Sequence, residues 1–330
     1  MNNNLKMPKK KRKKKKSIGY KIFMSFLIIL LAIIIIGTGY LVGTLNKLDN
    51  TKVNKDNLGI KTEDFTNYDT KNIKNIALFG IDATDSNSGR SDSIMVATID
   101  SKHKKLKITS IMRDSYVNIE GYGNDKINHA YAYGGPELSL NTINQNFGLN
   151  IENYATVDFS SLPAIINLLG GIDIEITNDE LGYINDYISS LNSVEGTNSP
   201  GIYSSGLQHL DGIQALAYSR IRYTAGGDYE RTQRHRTVLN SLFKTLVNKP
   251  VTSYPAMLSE ILPYVQTNLG TSEILSIGTD VLSIGNNLEQ DRFPRDVDAV
   301  GTSIDGVYYL TFDRETVKQE MKNYIFNDIK

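Results

Sequence analysis

Five of the eleven arginines in this 330-residue chain fall between Tyr218 and Arg236, in the stretch YSRIRYTAGGDYERTQRHR, which holds none of the chain's 25 lysines. Lysine suffices for solubility, whereas a planar guanidinium grips phosphate or carboxylate oxygens two at a time. Arg220 and Arg222 flank Ile221 at strand-like spacing, and Arg231, Arg234 and His235 stand at i, i+3 and i+4, one face of a helix. Between them, Gly226, Gly227 and Asp228 supply a flexible turn and a carboxylate. Upstream, Asp82, Asp85, Arg90 and Asp92 crowd one loop, and Arg113 and Asp114 follow a strand-like run. Carboxylates with water and phosphate oxygens make a magnesium site, and arginines beside it neutralise phosphate. Together they describe phosphoryl transfer in which positioning and electrostatics dominate and the nucleophile comes from a second substrate. Each residue also has a plainer role: a solvated basic helix face, turn aspartates, an Arg113–Asp114 ion pair, Asp228 as the partner of Arg231.

Other chemistries are poorly supported. His103, His129, His209 and His235 fall in no triad or HExxH arrangement, and there is no phosphate-binding G-x-x-x-x-G-K-[ST] loop. With no cysteine, disulfides, thiolate nucleophiles and Cys-ligated zinc are excluded.

The charged residues gather after apolar runs. Residues 76–80, 93–99 and 106–111 read as buried strands, the second nearly all apolar and therefore central. A short helix from Asn128, a Gly134-Gly135 turn and a second helix from Pro136 to Asn146 follow. A strand over 154–157, a helix over 160–169, an alternating strand over 172–176, an irregular excursion over 178–206 and a helix capped by Asp211 lead into the arginines. A long helix spans 231–247. Beyond it, helices around 255–262 and 272–283, strands around 288–293 and 306–311, and a helix over 314–326 complete the chain. Interleaved strands and helices define the class as α/β, a central sheet between helical layers.

The N-terminus has a different composition. Residues 9–16 are eight consecutive cations, and residues 22–42 are 21 uncharged residues, enough to cross a bilayer as a helix. By the positive-inside rule, residues 1–21 form a cytoplasmic tail and all that follows Val42 lies outside the cell membrane on a single-pass anchor. The alternative, a cleaved secretory signal, fits less well because the apolar stretch is longer than a usual h-region and no clear small-residue cleavage site follows it. Residues 43–72 read as a polar stalk and 73–330 as the extracellular domain. Apart from the tail, the chain holds 26 basic and 36 acidic residues, a poor nucleic-acid binder; anionic lipid is the nearer partner of the basic run.

The order of the segments adds a resemblance. Asp82, Gly89-Arg90-Ser91-Asp92, Met112-Arg113-Asp114-Ser115, Lys126-Ile127-Asn128, Leu169-Gly170-Gly171 and Leu210-Asp211-Gly212, then Ser219-Arg220-Ile221-Arg222 with Asp228-Tyr229-Glu230-Arg231, resemble the successive motifs of the LytR-CpsA-Psr family over residues 74–248. The resemblance implies a three-layer α-β-α domain with a central mixed sheet. It implies a Mg2+-dependent enzyme, with Mn2+ as an alternative ion, that moves a glycopolymer such as teichoic acid or capsule from a polyprenyl-pyrophosphate carrier to a peptidoglycan hydroxyl, the muramic acid 6-OH. By motif, Asp82 and Asp92 hold the metal. Arg90, Arg113, Lys126, Arg220, Arg222, Arg231 and His235 surround the pyrophosphate, and Asp228 orients an arginine. Apolar parts of 136–169 would line a tunnel for the lipid. His235 replaces the family's usual glutamine and adds a group titrating near neutral pH; Met112 replaces a common proline. With water as acceptor, the same residues describe a lipid pyrophosphatase; without turnover, they describe a lipid-linked-glycan binder or envelope regulator.

Overall fold

The computed structural model describes residues 52–82, 89–158, 160–222, 260–270 and 287–330, with individual helical positions between 230 and 245 and between 273 and 284. The strands β1 (Ile73–Asp82), β2 (Arg90–Asp100) and β3 (Lys105–Ile111) run antiparallel to one another in sequence order. After them come a hairpin of β4 (Tyr116–Ile119) and β5 (Gly123–Lys126), helix α1 (His129–Phe147), β6 (Asn153–Asp158) and α2 (Leu162–Leu168). Strand β7 (Ile172–Ile176), α3 (Asn178–Glu195), β8 (Gly206–Leu210) and α4 (Gly212–Arg220) form a second run. The C-terminal third adds β9 (Val265–Thr267), β10 (Leu288–Phe293), a ribbon of β11 (Ala299–Ile304) and β12 (Val307–Phe312), and α5 (Arg314–Lys322). The main sheet is mixed, in the order β10-β3-β2-β1-β6-β9, with β6 parallel to β1 and β10 parallel to β3.

Packing on both faces explains the strand sequences. Ile94, Met95 and Val96 of β2 are all at most 2% exposed, the continuous apolar run of an interior strand. In β1, Ile73, Ala77 and Phe79 enter one core with Leu140, Ile143 and Phe147 of α1 and Val317 and Met321 of α5, whereas Ile76 and Leu78 face the other side. The Gly134-Gly135 turn kinks α1 as its sequence predicts: Gly135 has φ +61°, which a side chain disfavours, and Pro136 opens the second segment.

Three expectations are corrected. The segment 178–206 is not irregular, because α3 fills most of it. Thr177 and Glu180 close a capping box, and Ile184, Ile188 and Leu191 form a buried stripe at i, i+4 and i+7. Arg220 ends helix α4 rather than lying on a strand. The polar segment before β1 is not all stalk: Leu58 is fully buried and Phe65 packs its ring 5.6 Å from Phe326 in the main core. The expected span over 22–42 lies outside the described residues, among which no helix is long and apolar enough to cross a membrane. Because Phe65 belongs to the core, Phe65→Ala is expected to cost about 3 kcal/mol of stability in urea unfolding, whereas a detached stalk would leave it unchanged.

Candidate active site

Asp92 occupies an irregularity in the sheet. In the β1–β2 register Gly80 faces Ser93 and Ile81 faces Ser91, so Asp92 between them has no partner across the ladder. Such a bulge sharpens the local twist and re-aims the extra residue's side chain. It meets Arg113, two residues past the end of β3, whose Nη1 donates to Asp92 Oδ1 at 2.7 Å. Asn128 Nδ2, at the entry to α1, donates to the same oxygen at 3.3 Å, and Arg231 Nη2 stands 3.4 Å from Oδ2. Arg113 Nε lies 3.4 Å from Asp114 Oδ2, and Lys126 Nζ at the end of β5 donates to Asp114 Oδ1 at 2.5 Å. Elements distant in sequence thus close on one carboxylate, which is 14% exposed, with Arg113 at 15% and Arg231 at 4%.

Burial opposes ionisation of Asp92, but the fields of Arg113 and Arg231 and the hydrogen bonds from Arg113 and Asn128 outweigh it, holding the carboxyl below the usual carboxylate range. Asp92 is therefore an anion at neutral pH. His235, one helical turn after Arg231, behaves in the opposite sense. Burial above all, with the Arg231 guanidinium beside it, pushes its pKa down to about 3. The expectation of a group titrating near neutrality is corrected: at position 235 the imidazole is neutral.

Beneath this cluster lies an apolar cavity of about 320 Å3, walled by Leu78 and Met95 of the sheet, Val157, Ile165 and Leu169, and Val238 and Leu242 of the arginine helix. Its few polar wall residues are each chain neighbours of the charged cluster or its candidates: Ser93 follows Asp92, Ser219 precedes Arg220, and His235 lies one turn from Arg231. The lining differs from the expected 136–169 segment in its first half, since Leu140, Ile143 and Phe147 pack in the core on the other side of the sheet.

A profile of the LytR_cpsA_psr family matches residues 40–325. The chain belongs to that family. It is 32% identical over 268 residues, 78% of this chain and 82% of the other, to an Enterococcus faecalis protein named polyisoprenyl-teichoic acid--peptidoglycan teichoic acid transferase TagU. It is 34% identical over 262 residues, 77% of this chain and 74% of the other, to a Staphylococcus aureus protein named regulatory protein MsrR. A solved structure described as "TagT bound to LI-WTA" shares the fold at a TM-score of 0.63 and 25% identity, covering 83% of this chain and 99% of that one.

Of the residues expected at the site of this LytR_cpsA_psr chain, Asp92, Arg113 and Arg231 are in contact, His235 joins them at the cavity wall, and Lys126 joins through Asp114. Arg90 is exposed on β2 with its backbone paired to Asp82, the last residue of β1. Arg220 ends α4 and exposed Arg222 follows the turn at Ile221. The Asp82 side chain and Asp228 lie outside the described residues. Helix α4 reaches this position by docking closely on α2: a Cβ on Gly212 would fall 2.2 Å from the Pro163 carbonyl oxygen. Sequence reasoning singled out neither Asn128 as a site residue nor the role of Arg234, although both fall within the quoted stretches. Arg234 faces away from Asp92, donating from Nε to Glu180 Oε1 at 2.8 Å and from Nη1 to the Ile221 carbonyl at 3.0 Å, so it ties α3 to the turn between Arg220 and Arg222. Met112 uses the amide hydrogen that a proline would lack, donating to the Phe293 carbonyl at 2.9 Å and joining β3 to β10.

The depressed His235 pKa has a measurable sign. Below about pH 6.5 the unfolded chain binds a proton that the folded chain refuses until about pH 3, so stability falls with acidification across that window. In chelator-treated protein, His235→Gln removes this component. Urea unfolding at pH 7 and pH 4 is expected to show the wild type losing roughly 3 kcal/mol more than the variant on acidification; equal losses would mean that His235 is protonated in the fold.

Proposed function

We propose that this chain is a membrane-anchored transferase that moves a glycopolymer from a polyprenyl-pyrophosphate carrier to a peptidoglycan sugar hydroxyl, leaving a phosphodiester link. The observation that carries the proposal is an ionised carboxylate clamped by buried Arg231 and half-buried Arg113 directly above an apolar cavity. A pyrophosphate with a long hydrocarbon tail needs both environments within one molecule's length. The named function of the Enterococcus faecalis relative and the ligand named for the TagT structure support the same reading.

In this reading the cavity takes the start of the isoprenoid chain, excluding water from the lipid side of the reacting phosphorus. Arg113 and Arg231 neutralise the pyrophosphate, aided at the rim by Arg90, Lys126, Arg220 and Arg222, while neutral His235 offers a hydrogen bond without a further charge. The acceptor oxygen bonds to the phosphorus that bears the glycan. The bond from that phosphorus to the bridging oxygen breaks, polyprenyl phosphate leaves with both electrons, and the hydroxyl proton is released to water. The donor set suits a hard cation such as Mg2+. Asp92 is anionic, and its Oδ2 meets Arg231 Nη2 at 3.4 Å as an ion pair, a contact that leaves lone pairs for a cation. Such an ion is commonly held by one or two carboxylates and completed by phosphate oxygens and water. Asp92, with Asp82 at the end of β1, would hold it, and when bound it would neutralise charge developing on the phosphate oxygens. The anchor over 22–42 would place this domain outside the cell, at the membrane face where the carrier presents its glycan.

The test uses the full chain in lipid bilayers with Mg2+, a polyprenyl-pyrophosphate-linked oligosaccharide and nascent peptidoglycan, followed by mass spectrometry. Polyprenyl monophosphate together with a phosphodiester-linked glycan on muramic acid is the expected result. Cleavage with soluble sugar would instead indicate a pyrophosphatase, and binding without turnover a regulator, as the name of the Staphylococcus aureus relative suggests for that protein. Asp92→Asn, which keeps the shape and loses the charge, is expected to lower turnover at least about a hundredfold. Excess chelator should do the same, and full activity under either condition would remove the metal mechanism.

A further inference from the structure

Beyond Lys126, the contacts that begin at Asp92 continue outward into a cluster of tyrosines. Asp125, the chain neighbour of Lys126, accepts a hydrogen bond from the Tyr133 hydroxyl at 2.7 Å and one from His129 Nδ1 at 2.8 Å. The Lys126 ammonium lies 5.9 Å from the ring centre of Tyr308 and 5.7 Å from that of Tyr309. Tyr122, at the tip of the β4–β5 hairpin, stacks on Tyr133 with ring centres 4.4 Å apart and planes 12° from parallel. Tyr122, Tyr133 and Tyr308 are nonetheless 56%, 41% and 47% exposed. Large aromatic faces grouped in water beside a reaction centre mark a binding surface rather than scattered surface residues. Within the group Lys126 is held by Asp114, and Asp125 by His129 and Tyr133, so these side chains are fixed and the tyrosine rings are what the group turns to solvent.

Resting on the transferase reading, we infer that this tyrosine rim is the docking surface for the acceptor, and that pyranose rings of a peptidoglycan glycan strand stack on Tyr122 and on Tyr308. The commitment to acceptor rather than donor sugar follows from reaction geometry. In phosphoryl transfer the entering and leaving oxygens lie roughly in line across the phosphorus. The leaving polyprenyl phosphate keeps its chain in the cavity below Ser93 and His235, so the entering hydroxyl arrives from the opposite end of the contact chain. That end is the exposed rim beyond Lys126. Aromatic faces suit a sugar's apolar C–H face, and the phenol hydroxyls serve its rim of hydroxyl groups. The β11–β12 ribbon, which lies outside the main sheet, thereby gains a role: it carries Tyr308 and Tyr309 to Lys126.

The experiment uses the full chain in nanodiscs with an uncrosslinked oligosaccharide of alternating N-acetylglucosamine and N-acetylmuramic acid as acceptor. Tyr122→Leu and Tyr308→Leu are each expected to raise the acceptor KM about tenfold, with kcat and the lipid-donor KM moving less than twofold. Tyr122→Trp, which keeps a stacking face, should restore the acceptor KM. Saturation-transfer NMR of the oligosaccharide alone should show contact with the wild type and lose it in the leucine variants. Unchanged acceptor KM and unchanged saturation transfer would overturn the assignment, as would a rise in donor KM instead, which would give the rim to the donor glycan. If the wild type binds the oligosaccharide through these tyrosines but transfers nothing to it, the rim assignment stands and the transferase reading falls. Transfer indifferent to the tyrosines gives the reverse.

Discussion

The structure turns on a carboxylate that has to stay charged while largely out of water. Removing an ion from solvent costs several kcal/mol even after relaxation, and only close, well-directed partners offset that cost. Asp92 has two arginines and an asparagine amide, which together offset the cost of keeping it charged. Among the described residues a chain of contacts runs from Arg231 through Asp92, Arg113 and Asp114 to Lys126. This gathering of cations is local, because the chain outside its basic N-terminal tail is acidic. Cations clustered in a partly shielded site suit a small, concentrated anion better than an extended polyanion.

The sheet supplies this geometry at little local cost. Strands β2 and β3 are neighbours, so Asp92 near the start of one and Arg113 just past the end of the other emerge at the same edge of the sheet. The bulge between Gly80 and Ile81 is what frees Asp92 from the alternation that fixes the rest of β2. Arg231 comes from a helix beyond α4, on the same face as the cavity. That placement depends on the close Gly212–Pro163 approach and on Arg234, which fastens the turn after α4 to α3. The polar centre and the apolar cavity are therefore one construction: the residues next to the charges are the residues that roof the apolar space.

What could be read from the sequence was what local rules determine. The apolar run of β2, the Gly134-Gly135-Pro136 break in α1 and the Asp211 cap of α4 each depend on a few neighbouring residues, and each stands where the sequence puts it. The motif order led to the family and to Asp92, Arg113 and Arg231 as candidates. The failures share a different cause. Helix α3 was hidden because Asn, Ser and Gly outnumber a narrow stripe of three buried residues. Two arginines at i and i+2 fit a strand or a helix end equally, and only the packing of α4 decides that Arg220 belongs to the helix. Phe65 sits in a polar context, and only its contact with Phe326, far away in the sequence, makes it a core residue. Arg234 and Arg231 are indistinguishable by spacing, yet one meets Glu180 and the other Asp92.

The histidine at 235 shows how such tertiary information reverses a reading. As a residue type, His implies a charge that switches near neutral pH. At this position it is enclosed, at the wall of an apolar cavity and beside the Arg231 and Arg113 guanidiniums, so protonation would place a further cation in a medium that screens charge weakly. What the site can use there is a side chain that hydrogen-bonds, as the imidazole does to the Ser219 backbone, and that carries no charge. Glutamine meets the same two requirements. A change between glutamine and histidine at 235 is thus a change of side chain without a change of charge.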